Sequence, residues 1–302
     1  MKNNITCNAR QRLTDSEKIE IVEKYNTNKY TCSELSKIYS ISHNSVSSLL
    51  RRRGITIRNK RGQIDRFYTL NQEYFDNIDT EQKAYFLGLL YADGYNNESR
   101  NAIVLSLQEQ DRGVLDSFNI ELKSNKPLQF IKIKHRNANA SDTYRLSICS
   151  KKMSQRLVEL GCPQKKSLIL KFPDESIIPV NLLRHFIRGY FDGDGSFVAY
   201  LNKKSNCYKW FASIVSTEEF ILKLKDILKE VLDVNCYIYK RHKDRDTSTR
   251  CLHISGTNQV NKFLDWIYKD STVFLQRKFE KLKKSREFLP KMSLYRGDKY
   301  LL

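Results

Sequence analysis

Between residues 85 and 95 the chain reads YFLGLLYADGY, an almost wholly apolar run with a glycine inside it, closed by an aspartate and a second glycine. A related stretch, FIRGYFDGDGSF, follows at 186–197, so that Asp93 and Asp194 lie 101 residues apart. Glycine inside a helix costs about 1 kcal/mol relative to alanine, so its recurrence at matching places needs a compensating gain. Ala84, Gly88 and Ala92 recur every four residues as one small-residue stripe, and Gly189 and Gly193 repeat the spacing. Such stripes let two helices cross more closely than larger side chains allow. The pattern predicts two such helices packed side by side, the first capped by Asp79 with Gln82 and ending at Asp93, the second ending at Asp194. Gly94 and Gly195 are expected to take the left-handed conformation that ends a helix. Arg188 stands where the first stretch has Leu87, and is expected to face away from the helix contact.

Side-by-side packing would bring Asp93 and Asp194 together at two helix C-termini, where the helix dipole already disfavours negative charge. A divalent cation relieves that repulsion, and carboxylate with carbonyl oxygens suits Mg²⁺ or Mn²⁺. Held beside nucleic acid, such an ion activates water and stabilises the leaving oxygen of a phosphodiester. Taken singly, each Asp-Gly also reads as a plain structural turn; the matching pair on matching helices favours the chemical reading.

The surrounding chain is an α+β unit made twice. In the first half, strand-like AIVLSLQ, helical DRGVLDSFNIELKS, strand-like QFIKIKHR and TYRLSIC and helical MSQRLVELG follow the apolar helix. In the second half GSFVAYL, WFASIVS, helical EEFILKLKDILKEVL, strand-like CYIYKRH and CLHISG and helical NQVNKFLDWIY keep that order, and a pseudo-twofold arrangement is expected. In FIKIKHR, Ile131 and Ile133 alternate with Lys132, Lys134 and Arg136, which predicts one apolar and one cationic sheet face. Lys240 and Arg241, in CYIYKRH, are a less regular counterpart.

Charge points to the partner. The 302 residues carry 53 Lys and Arg against 34 Asp and Glu, a formal +19, which suits a polyanion whose counterions are released on contact. A membrane partner is not expected: the longest apolar run, Ala84 to Ala92, falls far short of the roughly 18 residues a spanning helix needs. The N-terminus lacks the apolar centre of a secretory signal, and a reducing compartment is expected. Seven scattered cysteines with no C-x-x-C pair argue against a structural zinc site. Gly-rich phosphate loops and nucleophile elbows are absent from the sequence.

The first residues have another character. In LTDSEKIEIVEKYNTNKYTCSELSKIYSISHNSVSSLLRRR (13–53), Thr14 with Glu17 signals a helix start, with Ile19, Ile21, Val22 and Tyr25 on its apolar face. A second helix is predicted from Thr31, with Leu35 and Ile38 inward, and a third from Ser42, with Val46, Leu49 and Leu50 inward. Outward lie His43, Asn44, Ser45, Ser47 and Ser48, followed by Arg51, Arg52 and Arg53. This resembles a helix-turn-helix, whose second helix enters the major groove; a protein-interaction bundle is the alternative. The domains expected are a helix-turn-helix at 1–58, a basic linker at 59–75, and half-domains at 76–175 and 176–302.

FLGLLYADG (86–94) and IRGYFDGDG (187–195) resemble the paired signature of the LAGLIDADG homing endonucleases in their single-chain, two-motif form, over about residues 70–290. The resemblance implies two α-β-β-α-β-β-α half-domains related by a pseudo-twofold axis, with the motif helices at their interface and the sheets along the DNA major groove. It implies that Asp93 and Asp194 bind the divalent metal, assisted by the carbonyls of Ala92 and Gly193. The implied activity is metal-dependent cleavage of both strands of double-stranded DNA at a long, non-palindromic site, by a monomer. Basic residues that support catalysis in this family point to Lys166, in GCPQKKS, and Lys278, in FLQRKFEKL, with Lys165 and Arg277 as neighbouring alternatives. Gln108 is a weaker candidate for positioning water, and Ser213 or Ser216 stands near the matching place in the second half. The N-terminal unit is not part of that fold and is expected to extend the DNA footprint. Two other readings are an intron maturase that binds RNA and a catalytically silent DNA-binding regulator; retention of both acids weighs against the latter. An intein is not expected, because the chain opens on Met1 and closes on DKYLL, with neither a nucleophile at its start nor a terminal His-Asn.

Overall fold

A computed structural model describes residues 13–27, 30–55, 57, 68–132, 141–204, 207–240 and 249–287. The chain divides into two compact units, 1–67 and 68–302.

In the first unit three helices, α1 (Asp15–Asn26), α2 (Cys32–Ile38) and α3 (His43–Arg52), surround a small core of Ile21, Tyr25, Cys32, Leu35, Val46 and Leu50. Capping boxes start the first two: Thr14 with Glu17 and Thr31 with Glu34 exchange side-chain and backbone hydrogen bonds. Ser42 opens α3 by accepting from the Ser45 amide at 3.0 Å. Ile19 and Ile38, expected inward, are about half exposed, because so small a bundle covers only part of each helix. Ser47, expected outward, is buried.

The second unit runs α4 (Glu81–Ala92), β1 (Gly94–Asn97), β2 (Ala102–Gln108), α5 (Arg112–Glu121), β3 (Gln129–Ile131), β4 (Thr143–Cys149) and α6 (Lys151–Glu159). The same order follows as α7 (Leu183–Asp194), β5 (Gly195–Asn202), β6 (Cys207–Thr217), α8 (Glu218–Leu232), β7 (Cys236–Lys240), β8 (Thr249–Ser255) and α9 (Thr257–Tyr268), and α10 (Gln276–Glu287) is added at the end. Each half builds an antiparallel four-stranded sheet, in the orders β1-β2-β4-β3 and β5-β6-β8-β7. Period-2 alternation sends Leu105, Leu107, Leu146 and Ile148, and Trp210, Ala212, Ile214, Leu252 and Ile254, into one shared core. This is the α+β, twice-repeated architecture expected.

The halves meet through α4 and α7. A Cβ added at Gly88 would lie 2.0 Å from the Phe186 carbonyl oxygen, and one added at Gly189 would lie 2.0 Å from the Tyr85 carbonyl oxygen. The two contacts are reciprocal and keep the 101-residue offset of the acids, which is what a pseudo-twofold axis through the crossing requires. Ala84, further along the stripe, is fully buried. At the far end of the crossing a Cβ on Gly193 would lie 2.3 Å from the Ala92 Cβ.

Several expectations are corrected. The N-cap of α4 is Thr80, not Asp79; Asp79 instead pairs with Lys83 at 2.7 Å. Gly94 and Gly195 do not turn left-handed: each opens a strand, Gly195 with φ −83°. Their need for glycine is spatial, since an added Cβ would lie 2.5 Å from the Leu90 carbonyl oxygen at Gly94, and 2.5 Å from that of Phe191 at Gly195. Residues 68–75 pack onto the second unit rather than linking to it: the Tyr68 hydroxyl accepts from the Cys149 amide at 2.8 Å and Thr69 bonds Asn125 and Lys123. Strand β3 stops at Ile131, and its phase is the reverse of the one read from alternation. Ile131 pairs with Thr143 on the face that carries Arg145, whereas Phe130 stands opposite Tyr144.

Gly88→Ala and Gly189→Ala should each destabilise the protein by about 3 kcal/mol in urea unfolding, because backbone must move to admit the methyl group. Gly113→Ala in α5, where an added Cβ meets nothing within 4 Å, should be neutral or stabilising by up to about 1 kcal/mol. Similar effects at all three positions would contradict the close helix contact.

Candidate active site

Because α4 and α7 cross at their glycines, their C-terminal ends converge, and each ends on an acid. Asp93 is the C-cap of α4 and Asp194 the last residue of α7. The Gly193 backbone sits against the Asp93 carboxylate, with an added Cβ only 3.0 Å from Oδ2, so a side chain at 193 would push the acid aside. Both aspartates keep a face open to solvent. Protein on the other sides strips Asp93 of hydration, and this, with the nearby Asp194 charge, raises its pKa to about 6 against the pull of Lys278, Lys166 and Arg277. Behind Asp194, Tyr190 donates to the Ser216 hydroxyl at 2.9 Å, and burial, then the Asp194 charge, hold its phenol well above its ordinary value.

One lysine serves each half. Lys166 is buried and donates to the Gly94 carbonyl; Lys278 donates to the Gly195 and Phe191 carbonyls, both at 2.6 Å. Each lysine thus binds the carbonyl of the glycine that follows an acid, so they obey the same pseudo-symmetry although their segments differ. Burial, and secondarily Arg277, lower the Lys278 pKa to about 8. Of the sequence alternatives, Arg277 is held by Asp111 at 2.9 Å, and Lys165 occupies a left-handed position.

The pseudo-symmetry breaks in a buried polar belt that sequence reasoning missed. Arg188, expected to point away, is fully buried; it donates to Glu81 of α4 at 2.6 Å and to the carbonyls of Val273 and Ile267 at 3.0 and 2.9 Å. It also donates to His185 Nδ1 at 2.7 Å, and burial, then the Arg188 charge, lower the His185 pKa to about 4, leaving the ring neutral. Asp192, equally buried, accepts from Tyr85 at 2.9 Å, Tyr268 at 2.6 Å and the Leu275 amide at 2.8 Å, so it ties α4 and α9 to the turn that launches the Lys278 helix. The signal was in the spacing: residues 185, 188, 189 and 192 share one face of α7, so the face that holds Gly189 against α4 also carries His185, Arg188 and Asp192.

The donor set fits a hard divalent cation. Among the described residues no group of three or more His, Cys, Asp and Glu could hold a metal by itself. Two convergent carboxylates with an open side, Asp93 with a raised pKa, are nonetheless what Mg²⁺ needs, since it commonly takes one or two carboxylates and completes its shell with water and substrate oxygens. The helix ends that carry Ala92 and Gly193 lie at the same spot, where their carbonyls could contribute.

The remaining candidates are dispersed. Gln108 ends β2 and accepts from Gln110 at 2.7 Å; the sheet register places Thr217, not Ser213 or Ser216, at its counterpart position, and Thr217 caps α8. Lys132 and Lys240 are exposed at the ends of β3 and β7, while Lys134, Arg136 and Arg241 lie outside the described residues. In the first unit His43, Asn44, Ser45, Arg51 and Arg52 are exposed on α3, and Ser42, also exposed, is committed to the cap. The linker stretch 58–66 lies outside the described residues, and among those described no helix is long and apolar enough to cross a membrane.

No curated protein matches the chain in sequence. Among solved structures the chain is similar to the I-LtrWI LAGLIDADG homing endonuclease bound to target DNA, at 12% identity and TM-score 0.46 over 74% of this chain and 92% of that one. It is similar to the I-SmaMI LAGLIDADG homing endonuclease bound to cleaved DNA at 13% identity and TM-score 0.45, over 72% and 92%. A third similarity, at 21% identity and TM-score 0.41 over 69% and 92%, is to the N-terminal LAGLIDADG domain of DUF199/WhiA. The family model of the LAGLIDADG-like domain matches residues 181–268, which span α7 to α9. Within the second half of the repeat, residues 181–268 are therefore similar to the LAGLIDADG-like domain.

Proposed function

We propose that this protein is a site-specific DNA endonuclease that hydrolyses one phosphodiester in each strand of a long, non-palindromic duplex site, using Mg²⁺ or Mn²⁺. One observation carries the reading. Two carboxylates converge at a pseudo-twofold axis, and a lysine from each half is fixed on the carbonyl that follows its acid. A structural pair of turns has no use for that arrangement, while duplex DNA, with its own pseudo-twofold symmetry, does. The formal +19 supplies attraction to the phosphates.

Asp93 and Asp194 are the residues that would hold the ion, each from its own half, so each half addresses one strand. When bound, the ion supplies Lewis acidity, lowering the pKa of water and stabilising the leaving oxygen. Lys166 and Lys278 hold positive charge beside the site, where charge accumulates on the phosphate during displacement. Two of the three Lys278 ammonium protons are committed to carbonyls, which orients the third. The buried Asp192 keeps the start of α10, and with it Lys278, in place. Unequal halves on one chain favour a target whose half-sites differ.

Asp93→Asn and Asp194→Asn should each lower cleavage by at least about a thousandfold while DNA binding stays near the parent level. Undiminished cutting by either variant would remove that acid from the mechanism.

The raised pKa of Asp93 gives a second test. A carboxylate raised from 3.8 to about 6 lends stability below its unfolded pKa and loses it as pH rises through the folded one. A cation that neutralises the pair restores stability only where the acids are ionised. Mg²⁺ should therefore raise the unfolding temperature at about pH 7.5 and have far less effect at about pH 5. An equal shift at both would contradict binding by the ionised pair.

We further propose that the N-terminal three-helix unit is a helix-turn-helix that binds DNA through α3, adding affinity by tethering a second module. Deleting residues 1–58 should weaken duplex binding by about a hundredfold and leave the cleavage rate at saturating enzyme unchanged. Unaltered affinity would assign the unit another role.

A further inference from the structure

The outward faces of the two sheets differ in chemistry. On the second sheet a diagonal row of rings crosses all four strands: Tyr200 of β5, Phe211 of β6, His253 of β8 and Tyr239 of β7. Phe211 lies between two near-parallel rings, with centroids 6.1 Å from Tyr200 at 24° and 5.2 Å from His253 at 29°, and Tyr239 meets His253 at 6.2 Å. Tyr200 and Tyr239 are 46% and 50% exposed, and Val198, paired with Phe211, is 43% exposed. At the positions of the first sheet that share the register of Phe211, His253 and Tyr239 stand Ala102, Ser147 and Gln129. Arg145, Ser106 and Gln108 share that first face, where Arg145 donates to Ser106 at 3.0 Å and the exposed ring, Tyr95, accepts from Gln164 at 2.8 Å and belongs to no row of rings among the described residues.

Large exposed aromatics on a sheet that needs none for its core call for an occupant. We propose that the face of β5 to β8 reads its half of the DNA target by apolar contact with thymine methyl groups, while the first sheet reads the other half by hydrogen bonds from Arg145, Gln108 and Gln129. The inference rests on the endonuclease reading above and goes beyond it to the composition of each half-site. Three features favour this occupant. The row lies on the sheet whose first strand, β5, begins directly after Asp194, with Tyr200 six residues, roughly 20 Å, along it from the candidate active site. Crossing four strands it spans about 14 Å, close to the roughly 12 Å width of the major groove. Phe211 is stacked between Tyr200 and His253, so its ring faces are occupied by its neighbours rather than open for unpaired bases to stack on. In the major groove the feature that apolar edges can read is the C5-methyl of thymine, whereas arginine and glutamine suit guanine and adenine.

The test is selection of bound sites from randomised duplexes by the full chain, followed by replacing thymine with uracil, which removes the methyl group alone. One half-site should be thymine-rich. Uracil there should weaken binding about fourfold for each methyl contacted, with no effect in the other half. In Tyr200→Ala/Phe211→Ala the penalty should vanish, which assigns the sensitive half to the second sheet; circular dichroism checks that this variant is folded, and Tyr239→Ala offers a milder second case. Uracil tolerated in both halves of a well-defined site would overturn the inference and leave the endonuclease reading intact. Failure to enrich any duplex would overturn both. Tighter binding to single-stranded DNA or RNA, lost in Tyr200→Ala, would overturn it in favour of base stacking.

Discussion

The second unit depends on the crossing of α4 and α7 at Gly88 and Gly189. Backbone touches backbone there, with no room for even a methyl group on either side. Helices that approach this closely bring their ends close as well, and the acids at those ends inherit the proximity. The site follows from this: burial of Asp93 with the Asp194 charge beside it, which together raise its pKa, and with them the proposed cation binding and the proposed division of labour between two strands. Each glycine costs about 1 kcal/mol of helix propensity, offset only by a contact that no other residue permits.

The two halves are equivalent at that contact and diverge around it. Arg188 and Glu81 form a buried pair across the interface, and such a pair contributes specificity of arrangement more readily than net stability. Besides Glu81 and His185, Arg188 binds the Ile267 and Val273 carbonyls at the end of α9 and in the turn after it, and Asp192 reaches the Leu275 amide beyond. The second half is therefore braced against α10, whereas the corresponding position in the first half, Tyr91, reaches the Leu160 carbonyl instead. Lys166 and Lys278 arrive at equivalent places on unequal supports. Their equivalence points to the chemistry of the site, since the surrounding framework does not impose it.

Local patterns made much of this legible in the sequence. The four-residue spacing of small residues implied the crossing, period-2 alternation gave most strands, and Thr14, Thr31 and Ser42 marked helix starts. What stayed hidden depended on tertiary context. Gly94 looks like a helix terminator, yet it is glycine because the Leu90 backbone lies against it. Arg188 looks like a surface charge because nothing nearby in sequence reveals Glu81, more than a hundred residues earlier, as its partner. The alternation in FIKIKHR suggested a cationic face, but strand phase is set by pairing with β4, which put Ile131 beside Arg145's face. The aromatic row was invisible for a related reason: Tyr200, Phe211, His253 and Tyr239 come from four strands, and only the register brings them together.

The proposed function requires Asp93 and Asp194 to share one ionic centre. Anomalous scattering from Mn²⁺ in crystals of the protein with a bound duplex should show density between the two carboxylates, within about 2.2 Å of an oxygen of each. Metal bound elsewhere, or carboxylates turned apart with DNA in place, would contradict it.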